Sequence, residues 1–287
     1  MVKSGHMTSI RHLTYDAPTP SMGDVEVMSF EYLRGLDQGR TQRGDFHVIA
    51  LVTAGHGAVS IDFTRSSLNP RTVVWLAPGA VHHWIDITDV RGELALFTPT
   101  APATRRTQRL AATPNRVALW TARSKDWPYI TAAMDHLRLE ANATAPPDQM
   151  AGILVSGLIS RIAMPHGHAD HPDDLFHRFS SNVETDFRNH HNTLYYADRL
   201  GYSARTLSRA VHGATGRTAK AYIVERILLE AKRTLAHDGL TAAQCAMRLG
   251  FRDASSFSSF FRRGVGQTPG AWQRRNRGQV RDRPGDA

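Results

Sequence analysis

The spacing of hydrophobic positions changes character partway along this chain. Over residues 24–100 the step is two, or a short unbroken apolar run. Val25-Glu26-Val27-Met28-Ser29-Phe30 and Val59-Ser60-Ile61-Asp62-Phe63 alternate. Phe46–Val52, Val73–Leu76 and Leu94–Phe97 are short runs, with turn chemistry between them at Gly55-His56-Gly57, Asn69-Pro70 and Pro78-Gly79. Short strands at this spacing predict a small barrel or sandwich. After about residue 124 the step lengthens to three and four. Trp127, Ile130, Met134, Leu137 and Ala141 mark one helix, broken by Pro146-Pro147. Met150, Ile153, Leu154, Leu158 and Ile162 mark a second, ended by Pro165. This pair either caps the strands or forms a dimer interface.

Residues 166–173 are polar and punctuated by Gly and Pro. They carry His166, His168 and His171, which invite a metal reading. With no rigid element to fix three ligands, the segment reads instead as a solvated linker. From Asp174 onward the pattern is helix and short turn, opened by Leu175, Phe179, Val183 and Phe187.

The helical half repeats itself. Ala197-Asp-Arg-Leu-Gly201-Tyr-Ser203 is echoed about 49 residues later by Ala246-Met-Arg-Leu-Gly250-Phe-Arg-Asp253. Each segment reads as a short helix, a glycine, an aromatic and an N-cap residue opening another helix. Thr193, Ser203, Thr241 and Asp253 are the expected N-caps. Gly201 and Gly250 sit where a helix ends left-handed. Tyr202 and Phe251 are expected to plug the two corners. This is helix-turn-helix grammar written twice. In the helix over 204–215, Leu207 and Val211 form one side. Arg205, Ser208, Arg209 and His212 form another. In 254–265, Phe257, Phe260 and Phe261 form the buried side, opposite Ala254, Ser255, Ser258 and Ser259, with Arg262 and Arg263 at its end. Between the units, Lys220–His237 carries an apolar face of Ile223, Ile227, Ala231 and Leu235. At 1.5 Å per residue it spans about 26 Å, a spacer suited to successive major grooves ~34 Å apart.

Charge sharpens this division. Residues 1–173 hold 16 Lys+Arg and 16 Asp+Glu, and residues 174–287 hold the other 19 and 10, so the whole +9 lies in the helical half. A neutral half joined to a basic half points to a polyanion as the partner of the second. The hydrophobic content of 41% is ordinary for a globular chain, and no apolar run approaches a membrane span. Ser4-Gly5-His6-Met7 resembles a tag remnant, so residues 1–7 do not enter the fold argument. The single cysteine, Cys245, excludes an intramolecular disulfide and a Cys-rich zinc site, with a reducing cytoplasm as the default.

The helical half resembles the double helix-turn-helix domain of AraC/XylS-type transcriptional regulators. The resemblance rests on Leu200-Gly-Tyr-Ser, Arg205-Thr-Leu-Ser-Arg209, Thr215-Gly216, the helix from Tyr222, and Leu249-Gly-Phe251. It continues through Ser255-Ser-Phe-Ser-Ser-Phe-Phe261 and ends in Gly266-Gln-Thr-Pro-Gly-Ala-Trp272. It implies base-facing side chains at Ala204, Arg205, Ser208 and Arg209, and at Ala254, Ser255, Ser258 and Ser259. Ala219, Val211 and Cys245 depart from the family pattern as core variations. The second reading helix offers only short side chains, so direct readout is expected mainly from the first unit, with the second acting through phosphates. The stretch Asn69–Trp84, with Pro78-Gly79 and His82, resembles the cupin-like sensor domains at the amino end of this family. The first cupin metal motif is absent: His56 has no histidine two residues away. Arg40, His47, Trp75, His82 and Trp84 are the candidate effector-binding residues, each with an alternative structural role.

The expectation is thus an α+β multidomain chain. Residues 8–122 form a cupin-like β-barrel sensor, 123–165 a helical dimerisation segment and 166–173 a linker. Residues 174–276 form the all-α double helix-turn-helix, and 277–287 a basic tail. The expected function is a sequence-specific DNA-binding transcription regulator, not an enzyme, with no cofactor and no metal, in the cytoplasm and not at a membrane. The expected partners are double-stranded promoter DNA, a small-molecule effector, a second copy in a homodimer and RNA polymerase. Two other readings stand beside it: a cupin-type metalloenzyme with a helical appendage, and an architectural protein binding DNA without sequence preference.

Overall fold

Period-two alternation becomes strand pairing in the first half and the 3–4 step becomes helix in both. The computed structural model describes residues 3–4, 10–14, 24–36, 41–111, 118–143, 149–163 and 174–277. Its contacts divide the chain into two units, Met1–His168 and Ala169–Ala287. Arg40, the segment 166–173 and residues 278–287 lie outside the described residues.

The first unit contains strands β1 (Lys3–Ser4), β2 (Ile10–Thr14), β3 (Val25–Ser29), β4 (Thr41–Gly44), β5 (His47–Ala54), β6 (Gly57–Ile61), β7 (Thr64–Leu68), β8 (Thr72–Leu76), β9 (Val81–Ile85), β10 (Arg91–Phe97) and β11 (Ala118–Thr121). They form a six-stranded sheet in the order β1-β2-β4-β9-β6-β7 and a five-stranded sheet in the order β11-β8-β5-β10-β3. Neither sheet closes on itself, so the expected barrel is corrected to two open sheets. β2 and β4 run parallel, whereas β5 pairs antiparallel with both β8 and β10. The alternating run 59–63 stops being strand at Ile61. Asp62 and Phe63, with φ of 45° and 74°, make a two-residue hairpin into β7. Phe30 likewise leaves the strand and opens helix α1 (Phe30–Leu36).

Both faces of the five-stranded sheet are buried. Val48, Ala50, Val52, Val74, Leu76, Leu94 and Leu96 share one apolar cluster with Val59, Ile61, Leu68 and Trp84 of the other sheet. The intervening residues Ile49, Leu51, Val73, Trp75, Ala95 and Phe97 share a second cluster with helix residues. Those residues are Ile130, Met134 and Leu137 of α3 (Trp127–Ala141), and Val155, Leu158, Ile159 and Ile162 of α4 (Met150–Ala163). The short α2 (Arg105–Ala111) adds Ala111. The helix pair therefore covers a sheet. The buried stripe of α4 differs from the expected one at Ile153, which is 52% exposed. Burial on both faces is why β5 reads as an unbroken apolar run.

The second unit is helical throughout: α5 (Asp174–Asp186), α6 (Thr193–Leu200), α7 (Ala204–Thr215), α8 (Ala219–Ala236), α9 (Ala242–Arg248), α10 (Ala254–Val265) and α11 (Pro269–Arg277). Phe179, Val183 and Phe187 of the opening segment are fully buried, as their spacing predicts.

Candidate nucleic-acid interface

Local capping chemistry builds each pair α6–α7 and α9–α10. The N-cap of α6 is Asn192, whose Oδ1 accepts from Tyr195 N at 3.1 Å, one residue earlier than the expected Thr193. The α6 helix ends at Gly201 with φ 76°, a value glycine adopts without steric cost. Ser203 then caps α7, its Oγ accepting from Thr206 N at 3.1 Å. In the second pair Thr241 and Gln244 form a reciprocal capping box. Asp253 Oδ1 accepts from Ser256 N at 2.7 Å to open α10. That hydrogen bond and the Arg252 guanidinium hold the Asp253 carboxyl down at about 2. Gly216 and Gly266 end α7 and α10 in the left-handed region.

The two units fill their cores differently. Tyr196 is fully buried, its hydroxyl donating to His190 O at 2.8 Å. The residue 49 places on is Cys245, also fully buried. Burial pushes its thiol up to about 12, so it behaves as a small hydrophobe. Volume lost there is supplied by Phe251, Phe257 and Phe261. Phe251 lies 5.4 Å from Phe257, 5.0 Å from Phe260 and 4.7 Å from His191, centroid to centroid. Phe251 thus plugs its corner. Tyr202 does not: it is 44% exposed. Residues 207 and 210, equivalent to Phe257 and Phe260, are Leu and Ala, so no ring faces it. Phe260 is only partly buried, while Phe257 and Phe261 are fully so. Val211 and Ala219 are buried, consistent with their reading as core variations.

The outward faces of α7 and α10 are the polar ones. On α7, Arg205, Arg209 and His212 are exposed and Ala204 and Ser208 half-buried, opposite the fully buried Leu207 and Val211. On α10, Ser255, Ser259, Arg262 and Arg263 are exposed and Ala254 and Ser258 half-buried. Arg188, Arg199, Arg217, Arg226, Arg233, Arg248 and Arg252 are each held by a carboxylate. Among the described residues, no such ion pair is formed by Arg205, Arg209, Arg262 or Arg263, nor by the exposed Arg178, Arg274 and Arg275 outside the two stripes. Their charge faces outward uncompensated, as phosphate or base contact requires.

One feature of this unit was not read from sequence. The spacer α8 buries Arg226, Glu230 and Arg233 beside its apolar face. Arg226 Nε donates to both carboxylate oxygens of Glu184, at 2.7 and 2.9 Å, and its guanidinium stacks 3.9 Å from the Phe187 ring centroid. The i, i+4, i+7 spacing of these charges was the available signal. It reads equally well as a solvated face, because periodicity shows a stripe but not what packs on it.

The effector candidates do not converge. His47 and Trp75 face the helix layer: Trp75 Nε1 donates to His47 Nδ1 at 3.3 Å, and His47 stacks on Phe97 at 4.9 Å. His82 and Trp84 lie on the opposite, inter-sheet side, their rings 5.8 Å apart. Burial lowers the pKa of both histidines to about 4. The four described candidates therefore lie in two pairs on opposite faces of the five-stranded sheet. Among the described residues, no group of three or more His, Cys, Asp or Glu has metal-ligand geometry, and no helix is long and apolar enough to cross a membrane.

Comparison with known proteins bears on the second unit. A helix-turn-helix domain family model matches residues 196–275. The transcriptional activator RhaR of Enterobacter sp. (strain 638) is 37% identical over 75 residues, 26% of this chain and 27% of that protein. The transcriptional activator RhaS of Escherichia coli O1:K1 / APEC is 33% identical over 87 residues, 30% and 31% of the two chains. These matches thus span less than a third of the relatives' length. Among solved structures, ToxT from Vibrio cholerae O395 aligns over 89% of this chain and 97% of its own, with 14% identity and a TM-score of 0.43. The second unit of this chain carries a helix-turn-helix domain.

Proposed function

We propose that this chain is a sequence-specific DNA-binding transcription regulator acting in the cytoplasm on promoter DNA. The observation that carries the reading is the pair of capped helices α7 and α10, each presenting its polar stripe outward, with unpaired arginines on that face. Arg205 and Arg209 on α7 have the reach for bidentate contacts to guanine in the major groove. The Ala254, Ser255, Ser258 and Ser259 face of α10 does not, so α10 contributes chiefly by fit and by phosphate contacts through Arg262 and Arg263. The relatives' description as transcription activators supports this reading over catalysis.

In the same proposal the first unit senses a small effector and pairs with a second copy, and RNA polymerase is a further partner. His82 is the residue we would place at the effector. It is buried on the inter-sheet side, and its Nδ1 has no hydrogen-bond partner among the described residues. Titrating salt against promoter binding tests the DNA reading. Log K is expected to fall linearly with log salt by about 0.9 per phosphate neutralised. A flat response would contradict it.

A further inference from the structure

The two reading helices are joined in sequence by α8, but a second connection bypasses it. The segment Glu184–His191, at the end of α5 and in the turn into α6, touches three other parts of the unit. Toward α8, Glu184 holds Arg226 by two hydrogen bonds, and Arg188 Nη2 donates to the fully buried Glu230 at 3.2 Å. Toward the first helix-turn-helix, Asp186 accepts from the Tyr195 hydroxyl at 3.2 Å and pairs with Arg199, while His190 stacks on Tyr195. Toward the second, the main chain of Arg188 lies directly against the turn between α9 and α10. A Cβ at Gly250 would stand 2.2 Å from Arg188 O and 3.3 Å from Asn189 Cα, and the Gly250 φ of +70° excludes other residues a second time. His191 then packs its ring on Phe251, and hydrogen bonds with the Leu249 and Arg188 backbones partly offset its burial.

The second helix-turn-helix is thereby held on two sides. On one side α9 and α10 both pack on α8, α10 so closely at Gly264 that a Cβ there would meet the Leu228 side chain. On another side its turn rests on Arg188–His191. A body braced on one side rocks on that side, and a second support elsewhere defines its tilt. Resting on the reading that α7 and α10 enter DNA, we propose that the Arg188–His191 segment is a strut. It fixes the tilt and separation of α10 relative to α7, and so sets which spacing between two contacted groove segments the protein accepts. His191, Gly250 and Phe251 are its positioning residues; none of them is assigned a contact with DNA.

The test uses the full chain with His191→Ala and, as a second variant, Phe251→Leu. Two readouts are needed. In the first, spin labels at Ala214→Cys on α7 and Ser259→Cys on α10, in a Cys245→Ala background, report the distance distribution between the helices without DNA. The strut predicts a narrow distribution in the parent and a broadened or displaced one in both variants, with far-ultraviolet dichroism unchanged. In the second, affinity is measured on a selected site whose two segments are moved apart or together by one base pair. The parent is expected to lose about tenfold per step, the scale of one mismatched pair, and the variants to show a flattened or shifted optimum. A distribution as narrow as the parent's overturns the strut, whatever DNA binding does. Equal loss of affinity at every spacing also overturns it, since that is simple destabilisation. A broadened distribution in a protein with no sequence preference supports the strut and sinks only the DNA reading.

Discussion

Trp75 donates its indole N–H to Nδ1 of His47 at 3.3 Å, behind the five-stranded sheet. That bond requires the His47 Nδ1 lone pair, so it exists only while the imidazole is neutral. His82, on the other side of the sheet layer, is also kept neutral by burial.

A pH dependence of the first unit follows. Both histidines have pKa values near 6.5 when unfolded and about 4 when folded. Above pH 6.5 neither state binds the proton and stability is full. As pH falls from 6.5 toward 4 the unfolded state takes up protons that the folded state refuses, so stability declines. Each histidine contributes a slope of up to about 1.4 kcal/mol per pH unit. Denaturant melts of the chain at pH 7, 6 and 5 should show this decline, and His82→Gln should remove about one histidine's share. A stability profile flat over that range would contradict the assignment.

On α7, Arg205→Ala and Arg209→Ala are each expected to cost about 1–3 kcal/mol in site affinity and to relax preference at one base pair. Binding to single-base variants of the site separates this from a phosphate role, which would weaken all sequences alike.

The buried charges of α8 are expected to be costly to break singly. Glu230→Leu leaves the Arg226 and Arg233 guanidiniums buried without their shared carboxylate and should destabilise the second unit by about 3–5 kcal/mol. Replacing Arg226, Glu230 and Arg233 together with apolar residues of similar volume should cost much less. Urea unfolding of the single and triple variants measures the difference, and additive losses would contradict the network.

Truncating the second unit's core gives a further measure of its packing. Phe257→Ala should cost about 3–5 kcal/mol, because the neighbouring Phe251 and Phe261 rings leave little room for collapse into the cavity. A loss below about 1 kcal/mol in urea unfolding would mean the aromatic cluster is loosely packed.

Legibility differed between the halves for a physical reason. Caps, helix-ending glycines and the Leu207/Val211 and Phe257/Phe261 faces are local, so the helix-turn-helix repeat could be read residue by residue. Only Asn192 displaced its neighbour Thr193 as cap. Tyr202 stays outside its corner because burial there depends on what lies opposite, and Leu207 and Ala210 are too small to enclose it. In the first half, β4 and β9 carry Gln42, Arg43, His82 and His83, and β7 carries Arg65, Ser66 and Ser67. Such polar strands exist only because of their partners. Whether strands close into a barrel or form two sheets depends on pairing between distant segments, which alternation does not encode. The same holds for the effector candidates. The run His47–Val52 is buried on both faces, so composition conceals that His47 faces the helices while Val48 faces the other sheet.

If α7 and α10 read two groove segments held at fixed spacing, the binding site itself must carry that spacing. Selection of bound duplexes from a random-sequence library, followed by footprinting of the winners, measures it. Two protected segments centred about one helical turn, ~10 base pairs, apart are expected. Base identity should be stronger in the segment lost on Arg209→Ala. Recovery of sequences with no shared motif, or of one short segment unaffected by Arg205→Ala and Arg209→Ala, would contradict it.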